Sequence, residues 1–217
     1  MAGTSVWYPT EMPDLLMDNI RNNLMTPIED GMVGNLRAGD ANVDPRIRTS
    51  QVSWVEAHNW IGGFIMSYVL KANRDNFHYD IKGIERGGIQ YSKYGVKGHY
   101  GWHTDQSLET FYESQSIDNN DNPGDQYILG SGKHQDFIIN GCENVRKLSF
   151  SFQMSCPDSY EGGNLQFLSD TNNKIYNAPR AKGMLIIFDS RMRHRVTKVR
   201  SGYRESLVGW VYGPRWK

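Results

Sequence analysis

Trp102-His103-Thr104-Asp105 sets an imidazole and a carboxylate two residues apart, and a second imidazole, His194, follows much later in the chain. Two histidines and one carboxylate are the ligand set of a facial triad. Such a triad holds Fe(II) on one side and leaves the other side open to substrate and oxygen. A catalytic zinc site draws on the same ligand types, so residue identity alone leaves the metal open. Residues i and i+2 of a strand point to one face. His103 and Asp105 can therefore both enter a barrel while Thr104 points away. His194 must come from a distant strand, because one short strand cannot wrap three ligands around an ion. Alone, a His-x-Asp pair is a common accident, and a strand histidine is more often packed or solvent-facing.

The pattern gains weight from Arg204, ten residues past His194. If Arg200-Ser201-Gly202 is a turn joining the last two strands, a symmetric hairpin pairs His194 with Val208 and Lys198 with Arg204. Arg204 then sits roughly 13 Å along the strand from the metal level. A five-carbon dicarboxylate chelating the metal, met by a guanidinium, spans that gap. Arg204, Ser206, Val208 and Trp210 share a face on the period-two count. Arg204 can pair bidentately with a carboxylate, and Ser206 can add a hydroxyl hydrogen bond. The bland alternative is an exposed strand arginine in an ordinary salt bridge.

These residues need a scaffold, and the bulk properties bound it. The 217 residues fit one domain with a full hydrophobic core. Formal net charge is zero, which gives no sign of a sequence-wide partner such as nucleic acid or an anionic membrane. Two cysteines, Cys142 and Cys156, argue against a disulfide framework and for a reducing compartment, the cytoplasm. The first residues have neither the basic nor the apolar region of a signal peptide, and no apolar run approaches a membrane span. Abundant glycine and aromatic residues fit a turn-rich β fold.

Along the chain, Asp14 to Met25 reads as a short helix and Trp54 to Ala72 as a second. The second carries a stripe of Trp60, Ile61, Phe64, Ile65, Tyr68, Val69 and Ala72, ended by Asn73 to Asn76. Gly31 to Thr49 reads as loop or irregular strand. From Ile84 the pattern is period two. Strands are expected over Ile84 to Tyr94 and His99 to Asp105, joined by the turn Gly95 to Gly98. Gln106 to Arg146 is a long polar excursion of the kind that forms lids or mobile loops. Strands resume over Lys147 to Ser155, Asn164 to Leu168, Lys174 to Asn177, Gly183 to Phe188, His194 to Val199 and Arg204 to Tyr212. Glu161-Gly162-Gly163-Asn164 and Arg200-Ser201-Gly202 read as hairpin turns. Two helices followed by about eight short strands predict an α+β chain whose strands form a jelly roll or other two-sheet barrel.

Several of these segments resemble one family. His103-x-Asp105, His194, Arg204-x-Ser206 and Gln90-Tyr-Ser-Lys-Tyr94-Gly are similar to motifs of the Fe(II)/2-oxoglutarate-dependent dioxygenases, in their prolyl 4-hydroxylase-like branch. Tyr160-Glu-Gly-Gly-Asn-Leu165 and Phe188-Asp-Ser-Arg-Met-Arg-His194-Arg-Val196 resemble that branch too. The resemblance covers about residues 84 to 212. It implies a double-stranded β-helix core (jelly roll, cupin-like) with N-terminal supporting helices. Residues 1–217 would form a single dioxygenase domain, with 1–83 as helical support and a long 106–146 insertion in the core. It further implies Fe(II) on His103, Asp105 and His194, 2-oxoglutarate anchored by Arg204 and Ser206, O₂ as oxidant, and ascorbate as an accessory. Tyr94 would donate to the far carboxylate of 2-oxoglutarate, with Tyr100 a second candidate for that pocket. The implied reaction hydroxylates an unactivated C–H bond as 2-oxoglutarate is decarboxylated to succinate and CO₂, peptidyl-prolyl 4-hydroxylation being one form. The substrate would be a peptide, protein or small molecule, and the length of the insertion weakens any transfer of substrate identity.

Two other functions compete. A nucleic-acid demethylase of the same superfamily tends to carry a second arginine six positions after the anchoring one, where this chain has Trp210. A cupin-like metal or small-molecule binding protein would use the same ligands without oxidative turnover. His58, His78, His99 and His134 are left as packing or solvated residues. Arg191, Arg193 and Arg195 read first as protection of a strand edge.

Overall fold

The computed structural model describes residues 4–34, 41–85, 88–106, 110–112, 127–129, 144–169, 171–214 and Trp216. The chain opens with strand β1 (Ser5–Pro9) and helix α1 (Asp14–Asn22). Short strands β2 (Glu29–Asp30), β3 (Val33–Gly34), β4 (Ala41–Asn42), β5 (Arg48–Thr49) and β6 (Gln51–Val55) lead to helix α2 (Trp60–Ala72). Strands β7 (Gly83–Ile84), β8 (Ile89–Tyr94) and β9 (His99–His103) follow, then the small pair β10 (Thr110–Tyr112) and β11 (Tyr127–Leu129). The remainder is β12 (Asn144–Gln153), β13 (Tyr160–Gly162), β14 (Leu165–Leu168), β15 (Ile175–Asn177), β16 (Met184–Asp189), β17 (His194–Val196), β18 (Val199–Gly202) and β19 (Arg204–Pro214). No helix among the described residues is long and apolar enough to cross a membrane.

The second helix begins six residues later than its apolar pattern predicts. Trp54 and Val55 belong to β6, and Asn59 caps the helix by accepting a hydrogen bond from the Ile61 N–H. An amide oxygen at this position satisfies a donor the helix cannot. The other end runs past Ala72 into a π-helical turn, Asn73–Phe77, so Asn73 to Asn76 extends the helix.

Most strands form two sheets. The larger has the order β1-β16-β12-β19-β8-β6-β2, with β7 also on β19. The smaller has the order β15-β14-β17-β9-β5. Strand alternation explains the layering. On β12, Leu148, Phe150 and Phe152 join Ile89, Tyr91, Leu207 and Val211 of neighbouring strands under Ile61, Ile65 and Val69 of α2. That face of the large sheet packs on the helices. A second cluster, including Tyr94, Ile186 and Phe188 of the large sheet and Leu165, Phe167 and Val196 of the small one, fills the space between the sheets. The expected two-sheet, double-stranded β-helix core with helices against one face is present.

The alternate residues of the large sheet are the informative ones. Gln90, Ser92, Ser149, Ser151, Gln153, Arg204 and Ser206 are all buried, though polar. Their pattern resembles a solvent-facing strand face, but it faces the barrel interior. Buried polar groups persist only when hydrogen-bonded or reserved for a ligand.

Two expected hairpins are absent. β18 pairs with β13, through Tyr160↔Gly202 and Glu161↔Ser201, and β19 pairs with β8 and β12. His194 therefore lies opposite His103 and Phe167, not Val208, and Arg204 lies opposite Tyr94, not Lys198. Gly162 and Gly163 likewise carry the chain from β13 to β14 in the other sheet, at φ of 72° and 60° where glycine is the least strained residue. The Arg191, Arg193 and Arg195 reading is also corrected. Strand β17 is paired on both sides, so it has no edge to protect. Arg191 instead pairs with Asp189 at 2.6 Å, and Arg195 donates to Gln166 Oε1.

Candidate functional site

Strands β9 and β17 are neighbours, and their register sets His103 and His194 directly opposite one another. The Nδ1 of each ring lies 2.9 Å from a backbone carbonyl, Gly101 for His103 and Met192 for His194. A carbonyl only accepts, so each Nδ1 carries the proton and each Nε2 keeps its lone pair. Both lone pairs turn toward Asp105. Its oxygens stand 3.6 Å from His103 Nε2 and 3.5 Å from His194 Nε2.

Strand β9 ends at His103, so Asp105 reaches the site from just beyond it. The bend is fixed by Asp105 and Gln106 N–H groups donating to the Ser190 carbonyl, and by Arg146 donating to the Asp105 carbonyl. Burial pushes the Asp105 carboxyl up. The nearby imidazoles, Arg146 and a hydrogen bond from Ser149 outweigh it, and the group stays below the usual carboxylate range. One ligand atom from each of His103, Asp105 and His194 lies within 4.8 Å of the others. Two neutral imidazole nitrogens and one carboxylate make a donor set for a divalent cation. Bonds of about 2.1 Å would draw the donors to about 3 Å apart, a side-chain adjustment.

The rings are held in a dry wall. Tyr100 stacks on His103 at 3.8 Å between centroids, and Phe188 meets His194 edge-on at 4.8 Å. Burial, followed by the neighbouring His194, pushes His103 down to about 3 from its ordinary 6.5. The unfolded chain therefore takes up this proton first. The contribution to stability is complete above pH 6.5 and is lost as pH falls toward 3. We expect the metal-free protein's Tm to drop across that window and a His103→Asn variant to show a shallower drop, measured by calorimetry at fixed ionic strength.

On the opposite sheet, Arg204 is 2% exposed. Its Nη1 donates to Ser206 Oγ at 3.1 Å and its Nη2 to Gln153 Oε1 at 2.9 Å. The Tyr94 ring lies 5.5 Å from the guanidinium carbon. Burial pushes the guanidinium pKa down, partly offset by Tyr94 and Tyr160, yet an arginine remains a cation. No carboxylate among the described residues pairs with it. A buried cation satisfied only by neutral oxygens is prepared for an anion.

The structure thus brings together His103, Asp105 and His194, and separately Arg204, Ser206 and Tyr94. The sequence reading missed Gln153, Ser151, Tyr160 and Arg48. The first two alternate with Phe150 and Phe152, and uncharged Ser and Gln in place of Lys and Glu were the available signal. His99 is a packing residue, its ring nitrogens meeting the Lys97 and Arg46 carbonyls. Trp210 stacks on Arg146 at 3.9 Å, a structural role. His134, Cys142 and most of the 106–146 excursion lie outside the described residues, and Cys156 is a free, exposed thiol.

Known proteins are similar to parts of this chain. A family model described as the 2OG-Fe(II) oxygenase superfamily matches residues 125–212, a stretch that includes His194, Arg204 and Ser206. A PKHD-type hydroxylase of Synechococcus elongatus is 37% identical over 92 residues, 41% of this chain and 39% of its own length. The chain spans about two-fifths of the length of these curated relatives. A crystal structure of a Pseudomonas putida prolyl-4-hydroxylase superposes with a TM-score of 0.62 at 14% identity, over 97% of this chain and 92% of that one. A Trichoplax adhaerens prolyl hydroxylase, solved with a hypoxia inducible factor peptide fragment, gives 0.63 at 13% identity, over 96% and 83%. Over residues 125–212 the chain is similar to the 2OG-Fe(II) oxygenase superfamily, and its fold is that of the prolyl hydroxylase structures.

Proposed function

We infer that this chain is an Fe(II)- and 2-oxoglutarate-dependent dioxygenase that hydroxylates an unactivated C–H bond of a peptide or small molecule, with peptidyl-prolyl 4-hydroxylation the leading form. The observation that carries the reading is the convergence of two Nε2 lone pairs and one carboxylate in a barrel that also buries an arginine without a carboxylate partner among the described residues. Relatives named as hydroxylases support it, as does a neighbour solved with a peptide.

His103, Asp105 and His194 would hold the iron on one face. Iron with 2-oxoglutarate and O₂ supplies the oxidation: the co-substrate leaves as succinate and CO₂ with one oxygen atom, and the other enters the C–H bond. Arg204 and Ser206 take the far carboxylate, and the Tyr94 hydroxyl is the third donor. Gln153 and Ser151 orient the guanidinium before the anion arrives, so little reorganisation is needed on binding. Tyr100 and Phe188 exclude water from the imidazole edges. Ascorbate is the accessory reductant of this reading. One functional domain and a cytoplasmic site of action complete it, the latter on the two-cysteine composition alone.

Anaerobic addition of Fe(II) and then 2-oxoglutarate should produce a weak visible metal-to-ligand band, and admitting air should release succinate. Absence of both sinks the reading. A band with no succinate, across candidate peptides, leaves a binding protein without turnover.

A further inference from the structure

A second buried arginine stands in the same sheet as His103 and His194. Arg48 of β5 pairs in register with Tyr100 of β9, and only 6% of it is exposed. Its Nε donates to Ser50 Oγ at 2.7 Å and its Nη1 to the Met32 carbonyl at 3.3 Å. Its Nη2 is buried with no hydrogen-bond partner among the described residues. The guanidinium carbon lies 4.9 Å from the centroid of the Tyr100 ring, which itself lies flat on His103. Arg48, Tyr100 and His103 thus form one continuous stack, and Tyr100 within it is partly exposed.

Gly31 makes this placement possible. A Cβ there would stand 2.4 Å from Ser50 Oγ and 2.7 Å from Arg48 Nε. The glycine leaves room for the guanidinium to run past the backbone, and its N–H donates to the Ser50 carbonyl at 2.7 Å. Both crowded atoms are side-chain atoms, so a methyl at position 31 would push the arginine aside more than it would disturb the strand.

The arginine is positioned by a hydroxyl, a carbonyl and a ring face, none of them an anion. One of its nitrogens has two N–H groups and no acceptor for them among the described residues. Such a cation beside a metal centre is complementary to a carboxylate. Arg204 already meets the needs of the co-substrate on the opposite sheet. Resting on the dioxygenase reading above, the geometry points to Arg48 as a substrate-anchoring residue, and to a substrate that carries a carboxylate near the carbon it presents for oxidation. Free amino acids, peptide C-termini and acidic side chains share that chemistry.

The test compares acids with their amides. Iron-loaded protein with 2-oxoglutarate is assayed for succinate release stimulated by three probes: the twenty L-amino acids, the same twenty as primary amides, and short proline-containing peptides with and without Asp or Glu, each with free or amidated C-termini. The expected result is stimulation by carboxylate-bearing probes at least about tenfold above their amide or neutral counterparts, the scale of one charge-assisted hydrogen bond. Which probes respond distinguishes the sources. Arg48→Met and Gly31→Ala should both erase the preference. In both, the 2-oxoglutarate concentration that half-forms the anaerobic band should stay at the wild-type value.

Equal stimulation by acids and amides overturns the assignment, as does a lack of stimulation by every acid. So does a preference that survives in the variants. A shifted 2-oxoglutarate half-saturation in Arg48→Met would reassign Arg48 to the co-substrate. The wild-type acid-to-amide ratio decides the matter even if a variant fails to fold. Absence of the band in the wild type would instead mark failure of the dioxygenase reading itself.

Discussion

Asp105→Asn should lose the visible band and succinate release together while keeping the fold. The substitution retains the shape of the side chain and removes the charge that offsets a divalent cation. Two neutral imidazoles then remain, and a borderline-hard ion such as Fe(II) prefers to keep a carboxylate. Loss of an outer partner of a metal ligand commonly costs 10- to 100-fold in affinity, on the order of magnitude known for such sites, and loss of a ligand should exceed that. Titration with Co(II) or Fe(II) measures the affinity directly. Calorimetry supplies the control: the metal-free variant should melt near the wild type, but added metal should no longer raise its Tm, because stabilisation by a ligand scales with how far its concentration exceeds Kd. A variant that still binds Fe(II) within a few-fold of the wild type would remove Asp105 from the ligand set.

Arg204→Met should raise the 2-oxoglutarate requirement by about 100-fold or more. Each hydrogen bond to a charged group contributes about 1.5–3 kcal/mol, and about 1.4 kcal/mol is a factor of ten. Two such bonds from a bidentate pair give the expected scale. The metal set lies on the other sheet, so metal affinity should move little. Methionine keeps much of the volume, and removing a buried cation that has no carboxylate partner among the described residues should not lower the melting temperature much. Steady-state 2-oxoglutarate titrations and the anaerobic band report the same quantity by independent routes. An unchanged half-saturation in both would leave the arginine as a structural residue.

The grouping of His103, Asp105 and His194 was legible from spacing. His103 and Asp105 needed only the alternation of a strand, and His194 needed only to lie far away. Arg204 was legible as a residue but not as a location. The turn signal at Arg200-Ser201-Gly202 is local, and nothing local says that the strand before it pairs with residues forty positions upstream in another sheet. The helix boundary failed for a different reason. Trp54 and Val55 are as apolar in a buried strand as in a helix, and Asn59 was the better guide. The interior polar face was hidden because Ser149, Ser151 and Gln153 alternate with large apolar residues just as an exposed face does. Only packing of the small sheet over them turns that face inward. Arg48 sat in a stretch read as loop or irregular strand, where its two-residue strand pairs with β9.

The candidate donors His103 and His194 hang from one sheet and Arg204 from the other, with Phe167, Phe188, Ile186 and Leu165 in the apolar cluster between the sheets. The interval between them is therefore a wall-to-wall clearance, about 10 Å for stacked sheets, and the wedge residues set it. With a diacid held as proposed, such a barrel would work as a calliper. A diacid one carbon too short cannot touch both jaws, and one too long must buckle. On the dioxygenase reading, selectivity among 2-oxo diacids would then depend on these apolar residues, and thinning the wedge should shift the preferred chain length without altering a polar contact.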